Sequence, residues 1–152
     1  MMQHVSSIIC KKVIIDSLTN VPSFIEVISG ATLNLPEIPG KAPDFTLFSM
    51  LLGKLTQKAQ KHSYSVVFVD PSGTEKIISK AEIPIKKGGK GQIRSNVCLD
   101  IIQLAIEEEG IHWFNVNLGK GKKKITVAEL PVRVVLAKKK EQDKRIKTKK
   151  VK

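Results

Sequence analysis

At 152 residues, 41% of them hydrophobic, the chain is long enough to bury one self-sufficient core, and it holds no run approaching the roughly 18 consecutive apolar residues of a membrane helix. The formal charge of +12 is concentrated at the C-terminus, where Lys138 to Lys152 sets nine basic residues against Glu141 and Asp143. A charge held in a tail argues against a shaped nucleic-acid groove on the folded body. Cys10 and Cys98 stand outside any C-x-x-C or Cys/His pattern, so neither a zinc site nor a disulfide framework is indicated, and both read as small buried apolar residues. Met1 to Ser7 lacks the features of a signal peptide, and the expected localisation is cytoplasmic.

In chain order, Ser7 to Ile15 reads as a strand, Ser17 to Asn20 as a turn, and Phe24 to Ile28 as the returning hairpin partner, ended by Gly30. Between Ala31 and Asp44, Pro36, Pro39, Gly40 and Pro43 preclude a helix or a central strand, and the segment reads as a loop crossing an edge or an end. Phe45 to Leu55 fits two periods. Phe45, Phe48, Leu52 and Leu55 suit a helical face capped by Asp44, while Phe45, Leu47 and Leu51 suit a strand.

In Ser63 to Val69, Tyr64, Val66 and Phe68 alternate with Ser65, Val67 and Val69 and lead into Asp70-Pro71-Ser72-Gly73, a type I turn by composition. Beyond it Ile77, Ala81, Ile83 and Ile85 line one face, and Lys76, Lys80 and Glu82 the other. A glycine-lysine loop, Lys86 to Gly91, precedes a strand over Gln92 to Leu99. Ile101 to Glu109 fits either a strand or a short amphipathic helix begun by Asp100 and stopped by Gly110. In the closing hairpin, Phe114, Val116 and Leu118 share a face opposite Asn115 and Asn117. After Gly119 to Lys124, Leu130, Val132, Val134 and Leu136 share a face opposite Arg133. These runs predict an all-β fold, an antiparallel two-sheet β-sandwich of immunoglobulin-like or C2-like type with at most one helix near 101–109. The domain spans 1–137 and is followed by a disordered basic tail over 138–152.

Catalytic and metal chemistry finds no constellation. Glu107, Glu108 and Glu109 are consecutive and cannot converge on one point of a strand or helix, so they read as a solvated bend. Asp16, Asp44, Asp70 and Asp100 are single acids in separate segments, which argues against a calcium site. His4, His62 and His112 lack partners at ligand spacing and read as exposed strand residues, and no G-x-S-x-G elbow marks a nucleophile. The expectation is a protein without enzymatic activity, metal or cofactor. Lys86, Lys87 and Lys90 in one loop and Lys120, Lys122, Lys123 and Lys124 in the other form a cationic rim if both loops lie at the same end of the fold. Such a rim suits an anionic surface.

Cys10-Lys11-Lys12-Val13-Ile14-Ile15-Asp16, Thr19-Asn20 and Ser23-Phe24-Ile25-Glu26-Val27-Ile28, followed by Val69-Asp70-Pro71-Ser72-Gly73 and Glu109-Gly110-Ile111-His112-Trp113-Phe114, resemble in order and spacing a bacterial family of small uncharacterised β-sandwich proteins. The resemblance spans Ile8 to Ala137 and leaves out the tail. It implies the fold, with Phe45 to Leu55 and Gln92 to Leu99 as strands, and no activity to transfer. The functional expectation is a module that binds another macromolecule, first of all a protein, through its loops or a strand edge, with no role at a membrane. The alternative is a nucleic-acid-associated accessory protein that uses the cationic loops and the tail.

Overall fold

The protein was analysed as a computed structural model that describes residues 2–55, 58–85, 88, 91–120 and 122–138. The expected tail beyond residue 138, and Lys86, Lys87 and Lys90, lie outside the described residues. The fold is all-β. Its strands are β1 (Met2–Ile15), β2 (Pro22–Val27), β3 (Thr32–Leu35), β4 (Gly40–Lys41), β5 (Phe45–Lys54), β6 (Gln60–Val69), β7 (Glu75–Ile85), β8 (Gln92–Ile101), β9 (Ala105–Ile106), β10 (Gly110–Lys120) and β11 (Lys123–Leu136). They form a four-stranded sheet in the order β2-β1-β5-β8, a five-stranded sheet in the order β3-β11-β10-β6-β7, and a β4-β9 ribbon. All pairings are antiparallel except β11 with β3.

The alternating residues build a single core. Ile9, Leu47 and Leu51 of the smaller sheet and Tyr64, Val66, Phe114, Val116, Val132 and Val134 of the larger one belong to the same buried cluster. Phe45 meets Phe114 edge-on across the two sheets, with ring centroids 5.1–5.4 Å apart in the Phe45, Phe114 and Phe68 group. Each such side chain contributes about 1.5–3 kcal/mol by leaving water. β5 has both faces covered, and β1 explains why. Past Cys10, which pairs with Thr46, β1 leaves β5 and continues with β2 as a hairpin. The hairpin tip returns toward the far end of the sheet. Arg94, opposite Leu52, donates to the Asn20 carbonyl at 2.9 Å, and Phe24 packs on the fully buried Phe48 with centroids 5.1 Å apart.

Several sequence expectations change. Ile101 to Glu109 is not a helix. Leu104 and Ile106 are buried, Ile102 and Ala105 exposed, and β9 pairs with β4, a period-two pattern imposed by a tertiary partner. Asp44 therefore caps no helix, and its Oδ1 accepts from the Gln103 amide at 3.1 Å. The segment expected as a loop over Ala31 to Asp44 contains the short strands β3 and β4. Ile77 is 51% exposed, because a register shift opposite Val66/Val67 places it out of phase with Ala81, Ile83 and Ile85. Leu136 is exposed at the end of β11, and Cys98 is exposed while Cys10 is buried; both thiols are free. His62 and His112 are buried rather than exposed.

Candidate functional site

Strand register decides where the lysines go. Gly119 pairs with Ser63, Ser63 with Glu82, and Gln60 with Ile85, so the end of β7 and the β10–β11 turn lie at the same end of the larger sheet. Lys86, Lys87 and Lys90, which the expected rim also requires, lie outside the described residues. Lys120 and Lys123 are directly opposite each other, as are Leu118 and Ile125, and Gly119 faces Lys124. The hairpin lysines are thereby divided between two faces. Lys120 and Lys123 share the core-side face with Leu118 and Ile125, and with Met2, His62 and Gly119 they line an open cavity of about 310 Å³. Lys124 lies on the other face, beside Ser63, Ser65, Lys80 and Glu82. Lys122 is exposed in the turn.

The cavity has an apolar floor and a cationic rim. His62 is 5% exposed, and its Nε2 has no hydrogen-bond partner among the described residues; Gln60 Oε1, next but one on β6, is likewise buried and unpartnered. Burial lowers the His62 pKa, and the charge of Lys120 lowers it further. Gly119 is needed for close approach: a Cβ there would stand 2.5 Å from Ser63 Oγ and 2.6 Å from the Lys123 carbonyl oxygen. The two described salt bridges, Lys11–Glu26 and Lys61–Glu82, involve none of the rim lysines.

A second polar feature was not visible in the sequence. His4 Nε2 lies 2.8 Å from Ser7 Oγ, Ser7 Oγ 2.6 Å from Ser49 Oγ, and Ser49 Oγ 2.8 Å from Tyr64 Oη. Residues three apart on a strand ordinarily face opposite ways. A register shift between His4 and Ser6 leaves Val5 outside and turns His4 and Ser7 to one face. Burial pushes the Tyr64 hydroxyl up to about 12, so the chain ends on a neutral phenol. No carboxylate hydrogen-bonds His4 among the described residues, and the pair therefore lacks the orienting acid of a nucleophilic triad.

At the other end of the sheet, His112 stacks on Phe68 with centroids 5.3 Å apart, and its Nδ1 lies 3.2 Å from the Gly110 carbonyl. Desolvation lowers its pKa against the opposing pull of that hydrogen bond and of Asp70 and Glu108. The enclosed cavity beside it measures about 10 Å³, on the order of a single water. Glu108 and Glu109 are more than a solvated bend: Glu108 accepts from the Ser72 amide and Glu109 from the Leu136 amide. No group of three or more His, Cys, Asp and Glu side chains among the described residues is placed to hold a metal ion, and no helix is long and apolar enough to cross a membrane.

Residues 16–135 match a family of unknown function, DUF6941. The chain belongs to this family. The match begins after β1 and covers β2 to β11 as far as Val135, the lysine-bearing turn included. No curated protein and no solved structure matches the chain.

Proposed function

We propose that this DUF6941 protein is a non-enzymatic binding module, a two-sheet β-sandwich whose lysine-bearing end engages an acidic protein partner. The carrying observation is the cavity under Lys120 and Lys123, where an apolar floor of Met2, Leu118 and Ile125 and the buried, unpartnered His62 lie beneath two cations. A carboxylate beside an apolar side chain complements that arrangement, by charge neutralisation above and desolvation below. Single-stranded nucleic acid fits less well, because stacking needs exposed aromatic faces. Trp113, the one tryptophan, pairs with Val69 and Pro131 at the opposite end of the sheet.

The test is binding of poly-L-glutamate and of a single-stranded RNA oligonucleotide to the full chain and to the double variant Lys120→Glu, Lys123→Glu across a salt series. The expected result is poly-L-glutamate binding that weakens with salt and falls about tenfold or more in the variant. Equal binding by the variant removes the proposal. Binding of RNA alone assigns the charge to a nucleic acid instead.

A further inference from the structure

The two large sheets have four edges, and three are protected. β3 has four residues, β2 belongs to the folded hairpin, with Pro22 at its start and Glu26 at φ +49°, and β7 carries a register shift, Pro84 and the exposed Lys76 and Lys80. Such devices prevent edge-to-edge pairing. β8 is long, unshifted and free of proline, and its two exposed charges, Arg94 and Asp100, are of opposite sign. Its ten residues pair with β5 without interruption from Gln92↔Lys54 to Ile101↔Phe45, it contains no proline, and no strand among the described residues pairs with its other side.

The side chains along this open edge are self-complementary. Arg94, Asn96, Cys98 and Asp100 share the outer face, and Ile93, Val97, Leu99 and Ile101 pack on or beside the core. We propose that β8 pairs antiparallel with β8 of a second copy about a two-fold axis at Val97, joining the two smaller sheets into one. In that register Arg94 faces Asp100 twice, Asn96 faces Cys98, Ile93 faces Ile101 and Val97 faces itself. A shift of two residues either way places neither charge opposite the other, and a shift of one turns the core face outward. Within a single chain Arg94 and Asp100 form no ion pair among the described residues. Arg94 donates to a carbonyl, and Asp100 Oδ1 accepts from Thr46 Oγ1 at 2.9 Å, which leaves its other oxygen for a guanidinium. Asn96 Oδ1 is buried without a partner among the described residues, and the thiol opposite it in the pair can donate.

Sedimentation velocity of the full chain over the micromolar to hundred-micromolar range tests this. The expected result is a monomer–dimer equilibrium that Arg94→Asp or Asp100→Arg weakens about tenfold or more, by opposing like charges, and that the double variant restores. An independent readout uses Asn96→Cys under mild oxidation, which should give an intermolecular disulfide with Cys98 of the second copy that the natural chain does not form. A native chain that is monomeric throughout, a double charge swap that does not restore association, or an Asn96→Cys variant that forms no cross-link overturns the proposal.

Discussion

The two ends of the larger sheet solve the problem of chain reversal in opposite ways. At the Asp70 end, the turn closes on itself. The Gly73 amide donates to the Asp70 carbonyl at 2.9 Å, Asp70 Oδ1 accepts from the Thr74 amide and the Ser72 hydroxyl, and the acids before β10 take up two further amides. Those hydrogen bonds hold the Asp70 carboxyl below its ordinary range. At the Lys120 end, like charges face each other across the hairpin; among the described residues buried polar atoms without partners occur at both ends, Gln60 Oε1 and His62 Nε2 here and His112 Nε2 at the Asp70 end. The backbone of one turn is closed by internal hydrogen bonds, whereas the other turn sets cations opposite each other, a charge that under the proposed function a partner would offset. Groups that cost stability in the free chain are those a ligand can satisfy.

The contrast can be broken most strongly at Gly119. Replacing it by Ala forces a methyl group against the Lys123 carbonyl, so the hairpin has to shift. A loss of about 1–3 kcal/mol is expected by urea unfolding. A smaller effect comes from pH. The folded-state pKa of His62 is lowered, so the unfolded chain takes up the proton first as pH falls below the ordinary value of 6.5. The stability it contributes is complete above that value and declines below it. His62→Gln should flatten the decline in unfolding measured from pH 7 to pH 5, and an unchanged slope would assign the effect to other groups. The smallest effect sharpens the comparison. Lys120→Glu turns a like-charge cross-strand pair into an opposite-charge one, so the hairpin should gain about 0.2–0.5 kcal/mol while poly-L-glutamate binding weakens. Stability and binding moving in opposite directions is the signature expected of an end kept open for a ligand.

Much of the fold was legible because strand side chains alternate. Phe114, Val116 and Leu118, or Tyr64, Val66 and Phe68, name their buried face directly. The rhythm failed where a register shift inserted a residue. Ile77 leaves the face of Ala81, Ile83 and Ile85, and His4 and Ser7, three residues apart, come to share one. It also failed at Ile101 to Glu109, where spacing suited a helix and the pairing of β9 with β4 prevailed. For the candidate site, composition indicated the lysines, but their division between two faces follows from the Lys120↔Lys123 and Gly119↔Lys124 register. His62 carries the same period-two signal as Tyr64, Val66 and Phe68, one residue before the Ser63 at which the strand reads as beginning.

The sequence by itself determined the all-β character, the Asp70 to Gly73 turn and the greasy faces, because period-two patterning and turn chemistry are local properties. Only the tertiary structure decided which strands became edges and that β5 would be covered on both sides by a hairpin folded over it. Those outcomes depend on contacts between residues far apart in the chain. No short window of sequence records what will press against it.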